Sequence, residues 1–401
     1  MTLPVLHDQL KADAERLSEA LEQMSKLFLA PKEEKSLRTF TSAEVTELLR
    51  VSDGYLRKMH FDGKIPSVEQ GRGNKRLYSA ENILEIRGIL SQTAKDPLHF
   101  LPGRRAGDRI QIWSTVNFKG GSSKTTTTVT LGMRLALRGY RVLVVDADPQ
   151  ASLTTFFGYQ PEIDFRQGGT LYDAIRYNDA DVSRVSITNI LKKTYFPGLD
   201  LVPAGLLLSE FETETPTALS RGEQPVFFNR IRDALRQIED NYDLVLIDCP
   251  PQLGYLTMSA VCASTSLLMT ITPERVDLAS ASQFLTMAAG VMEVLHNNGA
   301  AGAFDNFVYL LTRFDTSISA QQDLAEWMRQ LLGDSVIRTP FVKSSAVSEA
   351  GLSQRTIFEV ELSAVKNRKT FDRALESAIG FADDIEVLIQ RAWGREVGDE
   401  K

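Results

Sequence analysis

The chain has 401 residues, of which 43% are apolar and 24% charged, and its net charge at pH 7 is −7. These values are typical of a folded protein with one large core and a smaller module, and they exclude wholesale disorder. Two cysteines and four scattered histidines exclude a disulfide framework and a structural zinc site. An acidic chain can bind nucleic acid only through a local basic surface. The N-terminus lacks the apolar core of a signal peptide, which predicts a cytoplasmic protein.

Residues 1–37 are predicted to form an N-terminal dimerisation helix. Within a helix expected over 4–30, Leu10, Leu17 and Met24 recur every seven residues, which is the spacing of a short coiled-coil seam. A helix that packs on its own domain would have the same spacing, so both alternatives stay open.

Residues 38–92 are predicted to form an all-α/winged-helix DNA-binding domain. Thr41 and Glu44 have the spacing of a capping box, which begins a helix that runs to Leu49. A tight turn leads to a second helix that ends near Asp62, and apolar residues of both helices supply a small core. Two helices joined in this way are typical of helix-turn-helix proteins.

A glycine-rich basic turn at 71–76, between two short strands, is predicted to be the wing, and a third helix is expected at 80–90. Residues 38–109 carry 13 basic and 9 acidic side chains, a local net charge of +4. This charge favours DNA binding, although a small linker domain with a solvated basic face would also have it. The residues expected to contact operator DNA are Ser52, Tyr55, Arg57 and Lys58 of the second helix and Arg72, Lys75 and Arg76 of the wing.

The stretch 93–108 contains several prolines and glycines and is predicted to be a linker to a larger domain, 109–401. In that domain short β-branched runs alternate with helical stretches, which predicts an α/β fold with a mostly parallel sheet flanked by helices. Strands are expected at 110–116, 141–146, 199–202, 243–248, 266–271, 307–312 and 336–338. Helices are expected at 124–138, 225–240, 255–264, 277–296, 318–332 and 369–392.

One uncharged stretch, 249–273, is long enough to span a bilayer. It contains glutamine and several serines and threonines, and prolines bound it at both ends. A buried helix followed by a buried parallel strand has the same composition, because such strands are apolar on both faces. The stretch is therefore interpreted as part of the core and not as a membrane span.

A phosphate-binding loop follows the first strand of the large domain. The loop amides and the following helix N-terminus would hold phosphate, Lys124 would reach its outer oxygens, and the Thr125 hydroxyl would bind Mg²⁺. The two glycines of the standard GxxxxGK[ST] pattern are replaced by Phe118 and Ser123, and an extra lysine, Lys119, is present. The residues expected at the phosphates are Lys119, Gly120, Gly121, Ser122, Ser123, Lys124, Thr125 and Thr126.

Two further motifs follow predicted strands: Asp-Ala-Asp-Pro-Gln at 146–150 and Asp-Cys-Pro-Pro at 248–251. With the loop, they resemble the deviant Walker A family, which includes the ParA partition ATPases and the MinD cell-division ATPases. Its members carry a K-G-G-x-[GS]-K-[ST] loop with a second lysine. The fold that this resemblance implies is a P-loop NTPase core, and the implied cofactors are ATP/ADP and Mg²⁺. Ser123, where glycine is commoner, is the main departure.

A helical N-terminus, a winged helix and this ATPase core together resemble the large ParA proteins of low-copy plasmids, especially the RepA type of the repABC replication and partition cassettes. The resemblance covers essentially the whole chain. It implies a cytoplasmic, nucleoid-associated homodimer that segregates plasmid DNA and hydrolyses ATP weakly. Hydrolysis would be stimulated by DNA and by a ParB-like centromere-binding protein of the RepB type. The dimer would bind DNA non-specifically, and the N-terminal domain would bind an operator and repress its own gene.

The resemblance also implies roles for individual residues. Thr125 would bind Mg²⁺ directly, and Asp248 and Asp146 would hold the water molecules around the ion. Asp148 would polarise the attacking water, and a helix cap or a loop ion pair is its alternative role. Lys119 would cross to the partner subunit and contact the phosphates bound there, so that ATP links a two-fold dimer. The alternative for Lys119 is a solvent-facing position on its own loop.

Further contacts are implied less specifically. Adenine contacts are expected at Thr312, Arg313, Pro340 and Phe341. Non-specific DNA contacts are expected at Arg313, Lys343, Arg355, Lys366 and Arg368, which also fit an ordinary solvated surface.

Two other functions are alternatives for a chain with these motifs. A nucleotide-sensing transcriptional repressor without a segregation role would not need Asp148 beside Lys119. A MinD-like membrane ATPase would need a basic amphipathic C-terminal helix. In this chain the stretch 385–394 has an acidic character from Asp383, Asp384, Glu386 and Glu396, so no membrane partner is expected.

Overall fold

The computed structural model describes residues 6–28, 35–71, 73, 75–177, 183–299 and 303–395, and it divides the chain after Ser36 into two units. The first unit contains helix α1, Leu6–Phe28. Leu10 and Leu17 of the predicted seam are 61% and 65% exposed. The side chain of Met24 lies outside the described residues.

The second unit begins with a small sheet and three helices. Its elements are β1 (Phe40–Thr41), α2 (Ser42–Leu49), α3 (Asp53–Phe61), β2 (Glu69–Gln70), β3 (Arg76–Tyr78) and α4 (Ala80–Thr93). The three strands are antiparallel in the order β1-β3-β2. Glu44 N donates to Thr41 Oγ1 at 3.4 Å and Thr41 N donates to Glu44 Oε2 at 2.8 Å, so the predicted capping box is confirmed.

The large domain is built on an eight-stranded sheet in the order β11-β10-β9-β4-β8-β5-β7-β6. Its strands are β4 (Gln111–Val116), β5 (Val142–Asp146), β6 (Lys192–Lys193), β7 (Leu199–Val202), β8 (Leu244–Asp248), β9 (Ser266–Ile271), β10 (Asn306–Phe314) and β11 (Phe341–Val342). All neighbours are parallel except β6 with β7. The predicted α/β class with a mostly parallel sheet is confirmed.

Helices cover both faces of this sheet, because parallel strands need crossover connections. They are α5 (Lys124–Leu137), α6 (Ser152–Phe156), α7 (Pro161–Asp164), α8 (Leu171–Ile175), α9 (Glu210–Ser220), α10 (Phe227–Arg236), α11 (Tyr255–Ala263), α12 (Arg275–Asn297), α13 (Ser319–Leu332), α14 (Ser345–Leu352) and α15 (Arg368–Ala392). The strands β4 and β8 at the centre are buried along their whole length. Loops at the carboxyl ends of the parallel strands therefore meet at one edge, where ligands bind in such folds.

The structure corrects one predicted strand and adds elements. Residues 336–338 do not form a strand, because Val336 makes only an isolated bridge with Tyr309 and the ladder resumes after Pro340, which cannot donate a backbone hydrogen bond. Helix α9 was not predicted, since it contains Pro216 and mostly polar residues. The short edge strand β6 consists of two lysines and carries no apolar pattern.

The uncharged stretch 249–273 contains helix α11 and the buried strand β9, as predicted. Within the described residues, α12 alone has the length and apolar composition of a membrane span. It connects the parallel strands β9 and β10, and it packs against β9 as crossover helices do.

Candidate functional site

The phosphate loop connects the central strand β4 to helix α5. Gly121 has φ 78° and Ser123 has φ 66°, so two residues adopt the left-handed conformation. For Ser123 this conformation costs about 1–2 kcal/mol, because its Cβ approaches the following carbonyl oxygen. Such strain is typical of functional loops that the surrounding structure holds in place. The loop turns sharply and delivers the N-terminus of α5 to the carboxyl edge of the sheet.

Side chains of the strands β9 and β10 form hydrogen bonds with this loop. Thr270 Oγ1, in β9, lies 3.1 Å from Ser122 Oγ, and Thr312 Oγ1, in β10, donates to Ser122 O at 3.0 Å. Arg313 donates from Nη1 to Gly121 O at 3.0 Å. Thr312 and Arg313, expected at the adenine base, are thus placed against the phosphate loop itself.

Lys124 and Thr125 begin helix α5. The Lys124 side chain is buried and its Nζ donates to Lys119 O at 3.4 Å. Burial lowers the pKa of Lys124, and the nearby Asp248 carboxylate opposes that change. Thr125 Oγ1 donates to Asp248 Oδ2 at 2.6 Å, which brings the loop and the third motif together as predicted.

Asp146 and Asp248 end the adjacent strands β5 and β8 and face each other in the ladder. Asp146 accepts hydrogen bonds from Thr154 N and Oγ1 at 2.8 and 2.7 Å and from Asp148 N at 3.1 Å. Asp248 Oδ1 is buried and has no partner among the described residues. Burial raises the pKa of Asp146 to about 7, and burial together with the Asp146 charge raises the pKa of Asp248 to about 8.

This set of oxygens fits a divalent cation. Ionising two adjacent buried carboxylates is unfavourable, because both negative charges lose solvation and repel each other. A bound cation of charge +2 compensates for this electrostatic energy. The partnerless Oδ1 of Asp248 and the Thr125 hydroxyl are oxygen donors of the kind that Mg²⁺ prefers, next to a loop that suits phosphate.

Asp148 lies in the loop after β5 and is half-buried. Its Oδ1 accepts from Gln150 N at 2.9 Å, and its backbone oxygen accepts from Ala151 N at 2.8 Å. One oxygen therefore stabilises the turn after β5, and within the described residues Asp148 neither caps helix α6 nor forms an ion pair, the two alternative roles. The other makes no hydrogen bond with the described residues, which leaves it available to water.

Lys119 makes a contact that the sequence did not predict. Its Nζ forms an ion pair with Asp277 Oδ1, in the first turn of α12. The Asp277 side chain is 4% exposed and the Lys119 side chain 43% exposed. Within one chain, Lys119 is thus held by its own α12 and does not point freely into solvent. One feature of the sequence could have predicted this contact. Asp277 follows the strand β9, and the carboxyl end of β9 lies at the same edge of the sheet as the phosphate loop.

A second unpredicted contact fixes the segment after Asp248. Glu212, in α9, accepts from Tyr255 N and Leu256 N at 2.9 Å each and so caps helix α11. A Cβ on Gly254 would lie 2.4 Å from Glu212 Oε1, so a larger residue at 254 would displace the Glu212 carboxylate from the start of α11.

Of the remaining expected base contacts, Pro340 is half-buried and Phe341 is buried in the core. Pro340 O accepts from Ser377 Oγ at 2.8 Å. Phe341 is buried, and its ring lies 5.0 Å from that of Phe381 in α15. The ring of Phe341 therefore fills the space between β11 and α15 and is not presented to a ligand.

The described members of the expected operator set lie at the start of or within α3, or in the β2–β3 hairpin. Ser52 caps α3, since its Oγ accepts from Tyr55 N at 3.2 Å. Tyr55 is 42% exposed, and the exposed Arg57 pairs with Asp53 at 2.5 Å. Lys58 and Lys75 are exposed, Arg76 is half-buried, and Arg72 lies outside the described residues.

The expected non-specific DNA residues are all exposed. Arg368 pairs with Asp372 at 2.8 Å, and Lys343 lies 3.9 Å from Asp315. Neighbouring acids thus partly neutralise them. Arg313 contacts the phosphate loop, as described, and the remaining two are Arg355 and Lys366.

Comparisons with known proteins agree with this geometry. Residues 110–299 match a family model described as an AAA domain. A relative from Rhizobium rhizogenes, whose name designates it a replication protein A, is 44% identical over 384 residues and aligns with 95% of this chain and 94% of its own length. The chromosome partitioning protein ParA of Caulobacter vibrioides is 32% identical over 243 residues, 60% of this chain and 84% of its own.

Among solved structures, one described as a partition protein superposes with a TM-score of 0.67 at 17% sequence identity. The match covers 97% of this chain and 99% of the other. At this identity the similarity concerns the fold, and it extends over the N-terminal region as well as the sheet.

Proposed function

Since the chain belongs to the ParA family of partition ATPases and is close to RepA, we propose that it hydrolyses ATP in the presence of Mg²⁺ to drive segregation of a plasmid or chromid. The observation that carries the proposal is the contact of Thr125 with Asp248, whose other oxygen is buried without a partner beside Lys124. A phosphate loop joined to such a carboxylate is suited to a nucleoside triphosphate with its cation.

The residues of the site would divide the work of phosphoryl transfer to water. Amides at the start of α5 and Lys124 would bind the β- and γ-phosphates, and Mg²⁺, when bound, would neutralise charge on the phosphate oxygens. Thr125 and Asp248 would hold the cation, and Asp146 would position its surroundings. Asp148 would orient the attacking water through the oxygen that makes no hydrogen bond with the part of the chain that the structure describes.

Lys119 would act between subunits. To reach phosphates in a second copy it must leave Asp277, so the single-chain pair and the intermolecular contact exclude each other. ATP would then favour a homodimer in which each protomer supplies a lysine to the other. This dimer would bind nucleoid DNA non-specifically through exposed basic residues such as Lys343, Arg355 and Lys366.

A ParB-like centromere-binding protein of the RepB type would stimulate hydrolysis and release the dimer from DNA in the cytoplasm. The winged-helix region would bind an operator through the exposed side chains of α3 and the β2–β3 hairpin and repress its own gene. Arg57 must then exchange its partner Asp53 for DNA.

ATP turnover tests this function. We expect the full chain to hydrolyse ATP slowly with Mg²⁺ and faster when DNA and the cognate ParB-like protein are added, whereas Lys124→Ala is inactive throughout. Absence of turnover by the unmodified chain with all components would contradict the ATPase assignment. Turnover without any response to DNA and partner would instead favour a nucleotide-sensing repressor.

A further inference from the structure

Two consecutive residues of β10 bind two consecutive backbone carbonyls of the phosphate loop. Thr312 Oγ1 donates to Ser122 O at 3.0 Å, and Arg313 Nη1 donates to Gly121 O at 3.0 Å. In a regular strand neighbouring side chains point to opposite faces of the sheet, so both would not reach one loop. The register of β10 with β11 shifts between Thr312 and Phe314, and a bulge of this kind turns a side chain in a new direction. The bulge therefore brings Arg313 to the phosphate loop.

The backbone of Arg313 has a conformation that is unfavourable for a residue with a side chain. Its φ is 51°, in the left-handed region, where the Cβ approaches the following carbonyl oxygen. Strained residues of this kind cluster at functional sites, where the surrounding structure holds them. The guanidinium is exposed, and among the residues that the structure describes it forms no ion pair with a carboxylate. A positive charge without a neutralising acid is therefore held against the loop.

The contacts from β10 set the direction of two loop amides. A peptide bond is planar and trans, so its C=O and its N–H point in opposite directions. Because Gly121 O and Ser122 O are bound from the side of β10, the N–H groups of Ser122 and Ser123 point away from β10. Gly121 and Ser123 both have positive φ, and successive amides in such a turn form a concave site for anions. These two amides belong to the set expected at the phosphates.

A charged donor at Gly121 O also changes the strength of the amide in the same peptide. Hydrogen bonds in a chain polarise one another, so a donor at the carbonyl increases the partial positive charge on the N–H of that peptide. A guanidinium is always charged, and its hydrogen bonds are stronger than those of a neutral donor. We therefore expect Ser122 N–H to attract a phosphate oxygen more strongly when Arg313 is in place.

From this geometry we propose that Arg313 is a positioning residue of the phosphate site, which orients and polarises the loop amides that bind the nucleotide phosphates. The proposal deepens the proposed function and rests on it. It differs from the two roles that the sequence led us to expect for Arg313, a contact with adenine and a contact with DNA. A residue that acts through the loop affects all ligands with the same phosphates equally, whereas a base contact changes the preference between adenine and guanine.

Three variants of the full chain separate these roles. Arg313→Asn removes the charge and the reach of the side chain, and asparagine adopts the left-handed conformation more readily than arginine does. Arg313→Lys keeps a charged donor, and one donor is enough for the single bond to Gly121 O. Arg338→Asn is the matched control, because Arg338 is an exposed arginine between β10 and β11 that makes no hydrogen bond with the phosphate loop.

The first measurement is thermal unfolding without ligand. Asparagine relieves the backbone strain at position 313, and the lost hydrogen bond is exposed, so water can replace it. We expect Arg313→Asn to unfold at a temperature no lower than that of the unmodified chain. A clear decrease would show that Arg313 supports the fold itself, and it would overturn the proposal.

The second measurement is calorimetric titration with ADP, GDP and inorganic pyrophosphate in the presence of Mg²⁺. These probes share a diphosphate group, and none of them is a substrate for hydrolysis of a γ-phosphate. We expect Arg313→Asn to weaken binding of all three by the same factor, roughly tenfold, because each loses the same amide contacts. Arg313→Lys should recover most of this loss, and Arg338→Asn should bind like the unmodified chain.

Every other pattern of affinities contradicts the positioning role. A loss for ADP alone would identify a contact with adenine, and an equal loss in Arg338→Asn would identify a general effect of charge. Unchanged affinities in Arg313→Asn would show that the loop amides do not depend on Arg313. If the unmodified chain binds none of the three probes, the proposed function fails, and this result is distinct because it requires no substitution.

Discussion

Substitution of Asp277 by asparagine should strengthen ATP-dependent association of the chain. In the single protomer Lys119 is paired with Asp277, and this pair must break before Lys119 can reach a second copy. Asparagine has nearly the same shape and keeps an acceptor oxygen, but it lacks the charge that holds the lysine. The substitution thus removes a cost of assembly without removing the group that assembles.

The expected change in the association constant follows from how far the Lys119 and Asp277 side chains are exposed to solvent. Asp277 is 4% exposed but Lys119 is 43% exposed, so solvent screens the pair and its contribution is about 1 kcal/mol. Two such pairs break in each dimer, which amounts to about 2 kcal/mol, or roughly thirtyfold in the association constant. Lys119→Ala should abolish ATP-dependent association whether Asp277 is present or replaced.

The assay must follow closure of the ATPase domains, because the coiled coil predicted for helix α1 would be a second route to a dimer. A distance probe or cross-link between the 109–401 regions of two chains, titrated with a non-hydrolysable ATP analogue, reports closure directly. Glu293→Gln is the matched control, since it removes one carboxylate from the exposed part of the same helix. If Asp277→Asn associates no more tightly than this control, the single-chain pair does not compete with assembly and the reasoning is refuted.

Four other outcomes are expected. Lys124→Ala should lose ATP binding by calorimetry, because each charge-assisted hydrogen bond to phosphate contributes about 1.5–3 kcal/mol; near-normal affinity would contradict the phosphate-loop assignment. Asp148→Ala should bind ATP and remain on DNA without hydrolysis, and a normal turnover rate would assign Asp148 to loop structure alone. Arg57→Ala should weaken operator binding by about 1–3 kcal/mol in footprinting titrations, an effect that a random duplex should not show. Finally, the raised pKa values of Asp146, about 7, and Asp248, about 8, mean that the free site holds protons near neutral pH, which a bound cation must displace. Affinity for ATP with Mg²⁺ should therefore rise as the pH increases from about 7 to 8, with proton release measurable in buffers of different ionisation enthalpy. Equal proton release without Mg²⁺ would contradict this assignment.

Much of the fold follows from local sequence patterns. The six predicted helices of the large domain and all predicted strands except 336–338 are present, because buried parallel strands and amphipathic crossovers have distinct periodicities. The capping box at Thr41 was equally readable, since it depends on residues three apart. Helix α9 was not predicted because its mixed composition has no clear periodicity. Its position depends on tertiary contacts, such as that of Glu212 with α11.

The sequence by itself determined the chemistry of the phosphate site. Lys124, Thr125, Asp146 and Asp248 each lie at a strand end or helix start within a few residues of a recognisable motif, and parallel strands bring their carboxyl ends to one edge. The positions of these four residues relative to the predicted strands and helix were therefore enough to predict that they lie close together.

Only the tertiary structure decided which residues surround that set. Lys119 and Asp277 are 158 residues apart, and Ser122 and Thr312 are 190 apart. Their contacts depend on the strand order, which places β9 and β10 beside β4, and no periodicity within a strand or helix specifies that order. In α4, Arg87 likewise donates to Leu137 O only because α4 packs on the end of α5. Short-range patterns fix which element forms, whereas the competition among buried surfaces during folding fixes which elements become neighbours.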